Sequence, residues 1–350
     1  MAFCDLSAPK AEFDHIPIID LATLRSPLLK ERQQLAKEIH KACTQVGFFY
    51  IKNHGISEEL TTGLHNAAQQ FFSLPADRKR EVYIGKSKKY RGFIPLNSEQ
   101  PTGTDLSAPD PTSPGAFSEA FDIGYELAAD PLRSPDDVLP ADTFGLYGDN
   151  QWPSDDVVPG FRETYMRYFA EALTLCRAMI RIFALALELP EDFFDPMVNY
   201  PGATSRMLHY PPQEAVGEAR IGLGEHTDYE CFTLLLQDKV PALQVLNARG
   251  EWILAPPIPG TLVVNIADCL SIWTNKTFKS TIHRVTNLTG QERYTIPFFF
   301  GVDYDTTVSV LPSCISPDRP ACKPSFKAGE WVHHQLATAY PGYEETVAER

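Results

Sequence analysis

From about Ser205 onward the chain breaks into short segments rich in Val, Ile, Thr, Phe and Leu, separated by Gly, Pro and Asn: RMLHY, CFTLLLQD, LQVLN, WILAP, TLVVNIAD, STIHRVTN and RYTIPFFFGV. Residues of these types favour a pleated, half-buried surface. Many short strands with regular turns bury their apolar faces as a sandwich or a barrel. Upstream the pattern differs. IPIIDL reads as a short strand, and Leu35, Ile39 and Ala42 recur at helical spacing between Leu29 and about Thr44. Gly47 ends that helix, and FFYIKNHG reads as a strand closed by a turn. Ser57 is placed to cap a second helix running to Phe72, with Glu59 in its first turn. The longest helix is expected from roughly Gly160 to Leu189. The fold class expected is a mainly β core with helices (α+β), carrying a helical N-terminal layer without a separate linker.

Two stretches read as loops. Residues 101–117, PTGTDLSAPDPTSPGAF, offer no face to bury and are expected to cover a pocket mouth. Residues 129–153, ADPLRSPDDVLPADTFGLYGDNQWP, form the second. The 350 residues carry a net charge of -14, which disfavours nucleic-acid and anionic-membrane partners and leaves a small molecule as the expected partner. No basic segment followed by an apolar core opens the chain, and no stretch suffices to span a bilayer, so a cytoplasmic location is expected. Seven scattered cysteines without a C-x-x-C pair agree with free thiols in a reducing compartment. No sustained heptad indicates a coiled coil, and the oligomeric state is not readable.

The chemistry concentrates in GEHTDYECFTLLLQD, which starts at Gly224. In a strand, residues two apart face one side, so His226 and Asp228 are expected to project together. Alone, an H-x-D pair is more often a turn or a hydrogen-bonded pair than a metal site. STIHRVTN supplies His283, fifty-five residues after Asp228, in a second β-branched segment. Two imidazoles and a carboxylate on one face of an octahedron leave three positions open, the arrangement of non-haem Fe(II) oxygenases. Ten residues past His283, Arg293 and Thr295 again share a face. An inward arginine on a buried strand is costly unless an anion meets it, and a guanidinium fork plus a hydroxyl suits a carboxylate.

H-x-D, a second His about fifty residues on, and R-x-T ten residues later resemble the iron/2-oxoglutarate-dependent dioxygenase superfamily, specifically its isopenicillin N synthase-like branch. IPIIDL, GFFYIKNHGI, YRGFIP and LHYPP also resemble that branch, and the similarity runs from about Ile16 to Phe300. The resemblance implies a double-stranded β-helix (jelly roll) flanked by N-terminal helices. It divides the chain into a helical N-terminal region over 1–200 that includes the loop 101–117, a jelly-roll catalytic core over 201–310, and a C-terminal extension over 311–350, together one catalytic unit. It implies Fe(II) on His226, Asp228 and His283, the distal carboxylate of 2-oxoglutarate on Arg293 and Thr295, and Tyr210 helping to hold the other end of that cosubstrate. It also implies O2 as oxidant and ascorbate as a stimulant. The chain departs from the branch at Thr295, usually serine, at Leu208, often asparagine, and at Ala267, commonly glycine.

The reading is therefore an oxygenase that hydroxylates, desaturates or rearranges a C–H bond of a small, partly apolar molecule in secondary, or specialised, metabolism. Three alternatives stand beside it. An isopenicillin N synthase-like oxidase without 2-oxoglutarate would use Arg293 for the substrate carboxylate. A zinc hydrolase leaves the Arg293 and Thr295 pair without a purpose, and a binding module has no reason to keep all three ligands. Arg91, Phe232, Trp273 and Phe299 are the candidate substrate contacts. Phe299 shares a face with Arg293 and Thr295 if the strand stays regular through Pro297. His209 and Asp268 read as structural, and His54, His333 and His334 as turn residues.

Overall fold

The structure, a computed structural model, describes residues 12–99, 115–213 and 221–340. The expected pocket-covering loop therefore lies outside the described residues except for its last three. Eight strands form the main sheet: β1 (Ile18–Asp20), β2 (Phe48–Lys52), β3 (Gly92–Ile94), β4 (Glu119–Gly124), β5 (Thr204–Tyr210), β7 (Phe232–Gln237), β10 (Thr261–Ile266) and β12 (Arg293–Phe300). Their order is β1-β2-β10-β7-β12-β5-β4-β3, with only the β1–β2 pair parallel. A second sheet is built from β6 (Leu223–His226), β8 (Leu243–Leu246), β9 (Trp252–Leu254) and β11 (His283–Val285), in the order β6-β11-β8-β9. Residues of both sheets line one cavity between them, which is the jelly-roll core.

Helices close the outer side of the main sheet. α1 (Leu29–Gln45) buries Leu35, Ala36, Ile39, Ala42 and Cys43, the face its spacing marks out. Gly47 follows it at φ 77°, where a Cβ would strike the Lys279 carbonyl, so only glycine turns the chain into β2 there. α2 (Glu58–Phe72) is capped by Ser57, whose hydroxyl accepts from the Leu60 amide. The short α3 (Ala76–Arg80) contributes one buried side chain, Lys79. The long α4 (Phe161–Ala186) packs on α1, α2 and β12, with Phe169 edge-on to Phe298 at 4.8 Å between centroids. A second aromatic group joins Phe71 of α2 to Phe93, Phe121 and Phe161.

The region before residue 200 is less helical than its sequence suggests, because it supplies four of the eight main-sheet strands. The strands missed in the sequence are β3 and β4, and in β4, EAFDIG, every residue is buried. The two acids of β4 each find a cation. Glu119 binds Lys79 at 2.6 Å and His209 Nδ1 at 2.8 Å. Arg206 holds Asp122 through two bonds of 2.8 Å and also binds Glu99. Burial opposes the ionised Glu119, yet hydrogen bonds from His209 and Lys79 hold its carboxyl below the usual range. That contribution to stability is present at neutral pH and is lost as the pH falls through and below the ordinary Glu range. Glu119→Ala leaves Lys79 buried without its partner and is expected to cost about 3–5 kcal/mol in urea denaturation.

The C-terminal extension also holds structure that the sequence reading leaves out. α5 (Asp268–Trp273) is a short helix of the core, and α6 (Ala328–Ala339) is the last. α6 contains His333 and His334, which are helical rather than turn residues. Val332, Leu336 and Ala339 of α6 line the cavity. Among the described residues the cysteines are free, and no helix is long and apolar enough to cross a membrane.

Candidate metal centre and cosubstrate pocket

His226 ends β6 and His283 begins β11, and the two stand directly opposite each other in the antiparallel register. Their ring centroids are 4.1 Å apart. Asp228 lies in the turn after β6, so it meets His226 by the bend of the chain and not by strand alternation. Asp228 Oδ1 is 3.7 Å from His226 Nε2 and 3.6 Å from His283 Nε2, and the three ligand atoms all lie within 4.8 Å of one another.

Each atom is oriented for a cation. His226 Nδ1 lies 2.8 Å from the Gly224 carbonyl, and His283 Nδ1 lies 3.2 Å from that of Thr281. A carbonyl only accepts, so in the neutral rings the proton sits on Nδ1 and the Nε2 lone pair is free. Burial, with His226 close by, pushes His283 down to about 4, against the pull of Asp228, so it is neutral at pH 7. Burial opposes the charge on Asp228, but the two histidines and two hydrogen bonds outweigh it and hold the carboxyl below the usual range. Those bonds come from Asn265 Nδ2, at 2.7 Å, and the Thr233 hydroxyl, both to Oδ2. Thr233 and Asn265 are themselves register partners on β7 and β10. The main sheet thus grips Asp228 while the second sheet presents both imidazoles.

Asp268, the first residue of α5, ties these parts together. Its carboxylate accepts from Ser280 Oγ at 2.6 Å and Thr227 Oγ1 at 3.2 Å, and its amide donates to the Asp228 carbonyl. It is structural, as its sequence position suggests, but it joins the ligand segment after β6 to the segment leading into β11 instead of capping a strand. Asp268→Ala is expected to weaken Fe(II) binding about tenfold, checked by chelator competition.

At another end of the cavity β12 carries Arg293, Thr295, Pro297 and Phe299 on one face. The register with β5 and β7 runs through Pro297 without a shift, so alternation holds. Arg293 is 0 % exposed. Its Nε donates to the Val240 carbonyl at 3.2 Å and its Nη2 to Gln237 Oε1 at 3.3 Å, while Nη1 has no partner. Tyr210 is its register partner, and the guanidinium lies 4.9 Å above that ring. Tyr210 therefore stands beside Arg293, not toward an opposite end of the pocket. Leu208, opposite Thr295, adds an apolar patch. His209 turns to the other face, stacked on Tyr294.

The cavity between the sheets measures about 140 Å³. Of the four candidate substrate contacts, Arg91 and Phe299 line it. Phe232 and Trp273 do not: Phe232 packs on Phe183 and Phe300, and Trp273 on Phe194, all in the core. Large aromatics in strands and helices default to core packing, and only the direction of the side chain separates the two cases. Thr233, Asn265, Glu230, Tyr304 and the α6 residues are lining groups that no local motif distinguishes. Glu230 is buried with Oε2 unpartnered, and burial pushes its carboxyl up to about 8, a rise that Arg91 tempers and Asp228 adds to.

Two facing histidines, a tethered carboxylate and a buried guanidinium with one unpartnered nitrogen share one cavity, a donor set that suits a non-haem iron site. Comparison with known proteins agrees. Residues 16–155 match the family described as the N-terminal region of the non-haem dioxygenase in morphine synthesis, and residues 197–302 match the 2OG-Fe(II) oxygenase superfamily. A 2-oxoglutarate-Fe(II) type oxidoreductase of Metarhizium rileyi is 35% identical over 335 residues, 93% of this chain and 87% of the relative. One from Emericella nidulans is 35% identical over 344 residues, 95% of this chain and 94% of the relative. The crystal structure of a full-length Neurospora crassa protein in complex with alpha-KG and thymine is similar at a TM-score of 0.79 and 27% identity, covering 95% of this chain and 100% of that one. The chain belongs to the 2OG-Fe(II) oxygenase superfamily. It is an Fe(II)- and 2-oxoglutarate-dependent dioxygenase that uses O2, and this reading takes precedence over the oxidase alternative.

Proposed function

We propose that His226, Asp228 and His283 hold Fe(II), and that Arg293 and Thr295, with Tyr210 beneath the guanidinium, receive the distal carboxylate of 2-oxoglutarate. The observation that carries this is Arg293. A fully buried guanidinium with an unpartnered Nη1, in the same cavity as the triad, is costly unless an anion meets it. The donor set fits iron: two Nε2 atoms and one carboxylate oxygen converge, with their remaining atoms already bonded. Iron bound there supplies the oxidising chemistry, coupling the decarboxylation of 2-oxoglutarate to succinate with oxidation of the substrate. The protein's own work is to orient and to exclude water. Gly224 and Thr281 set the imidazole planes, Thr233 and Asn265 fix the carboxylate, and α6 with the apolar wall closes the reacting volume.

The wall facing that volume includes Phe48, Leu223, Leu235, Leu243, Val285 and Phe299. It suits a small, partly apolar molecule that gives up a C–H bond, in a reaction of specialised metabolism. We place the enzyme in the cytoplasm as a single catalytic unit acting on a small molecule, without nucleic-acid or membrane partners. Anaerobic titration of the Fe(II)-loaded protein with 2-oxoglutarate is the test. A weak visible charge-transfer band is expected on chelation of the keto acid. Iron binding without that band would assign Arg293 to the substrate instead.

A further inference from the structure

Arg91 and Glu230 line the cavity, 4 % and 6 % exposed, and neither is used by the metal or by the proposed cosubstrate anchors. Among the described residues Arg91 makes no ion pair. Its Nη1 and Nη2 reach the carbonyls of Tyr90, at 3.4 Å, and Leu146, at 3.2 Å, the Tyr304 hydroxyl faces it, and its Nε has no partner. All of these neighbours are neutral groups. Glu230 Oε2 is likewise buried without a donor. The seat of the guanidinium is built. Gly124, in β4, lies under it, and a Cβ at that position would collide with Nε, Cζ and Nη2. The Glu230 carboxyl lies against Gly301 in the same way, 3.3 Å from where a Cβ would stand. The other charged groups on this side of the cavity are already satisfied, since Arg206 holds Asp122 and Glu99.

A buried cation whose direct partners are all neutral and a buried carboxyl without a donor are each costly in the empty protein, and a ligand that completes both lowers the cost. We infer that Arg91 and Glu230 form the recognition pair for the primary substrate, which carries a carboxylate for Arg91 and an N–H donor for Glu230. The substrate class is then a small N–H-bearing carboxylic acid, such as an amino acid or a nitrogen-heterocycle carboxylate. The apolar wall covers the rest of it. Arg91 gives the planar, charge-assisted contact that orients a carboxylate, and Glu230 selects the nitrogen beside it. This rests on the cosubstrate reading, because Arg293 must be occupied by 2-oxoglutarate and so not compete for the substrate carboxylate.

Three small probes separate the two contacts. Pyrrole-2-carboxylate carries both groups, furan-2-carboxylate lacks the N–H, and pyrrole-2-carboxamide lacks the charge. Each is titrated calorimetrically, under anaerobic conditions, into the protein loaded with Fe(II) and saturating 2-oxoglutarate. Persistence of the charge-transfer band shows that the probe has not displaced the cosubstrate. Pyrrole-2-carboxylate is expected to bind about tenfold or more tightly than either of the others, the scale of one charged hydrogen bond. Arg91→Gln is expected to abolish its advantage over the amide, and Glu230→Leu its advantage over the furan. Gly124→Ala keeps Arg91 in the chain but denies it its seat, and is expected to act as Arg91→Gln does. Equal affinities in the unaltered enzyme, no binding of any probe up to about 10 mM, or advantages that survive these substitutions overturn the inference. The comparison among the three probes stands without any variant. Failure of the band to form before a probe is added refutes the cosubstrate reading instead.

Discussion

Asp228→Ala and His283→Ala are expected to lower turnover by about three orders of magnitude or more, the rate equivalent of the several kcal/mol that a bound metal supplies. The fold is expected to survive. Removing Asp228 takes a charged group out of a site where Thr233 and Asn265 spend their hydrogen bonds on it, leaving two neutral polar groups that water entering the cavity satisfies. Removing His283 relieves a buried imidazole whose Nε2 faces the other two ligand groups without a hydrogen bond. The distinguishing measurement is Fe(II) affinity alongside thermal melting of the apo protein. Loss of both activity and iron with an unchanged apo transition places the residues in the metal site. Full turnover in either variant removes that residue from it.

Arg293→Met is expected to raise the dissociation constant for 2-oxoglutarate on the order of 10²-fold, since truncating one partner of a buried charge-assisted pair costs about 2–5 kcal/mol. Its effect on stability has the opposite sign. In the ligand-free protein the guanidinium is fully buried on a strand between β5 and β7, with two long hydrogen bonds and one orphan nitrogen. Burial weakens its hold on the proton, against the electrostatic support of Tyr210 and Asp238. Replacing such a cation with an apolar side chain of similar reach is neutral or stabilising in other buried sites. The apo variant is therefore expected to melt at or above the temperature of the unaltered protein, while a 2-oxoglutarate concentration that stabilises the unaltered protein shifts the variant far less. A lower apo melting temperature would make Arg293 a structural residue.

α1, α2 and α4 were legible because each shows its buried face at helical spacing, as Leu35, Ile39 and Ala42 do in α1. β5, β7, β8, β9, β10, β11 and β12 were legible because β-branched and aromatic residues are bounded by turn residues. β3 and β4 were not, since β3 has only three residues and the acids of β4 are satisfied by Lys79, His209 and Arg206, up to about ninety residues away in the chain. α6 was missed for a related reason: its lining residues Val332, Leu336 and Ala339 matter only once the cavity exists.

The same division runs through the site. Residue type and spacing along β6 and the residues just after it, β11 and β12 marked out the proposed ligands and anchors, because residue identity and spacing are local properties of the chain. Tertiary structure alone decided how they meet. The bend after β6 turns Asp228 toward both imidazoles, Thr233 and Asn265 reach it from the other sheet, and Tyr210 lies beneath Arg293 through the β5–β12 register. It also decided that Phe232 and Trp273 belong to the core while Arg91 and Glu230 face the cavity. Which way a side chain points, and whether its polar atoms find partners, depends on the contacts of distant segments, and those contacts exist only when both sheets have closed on each other.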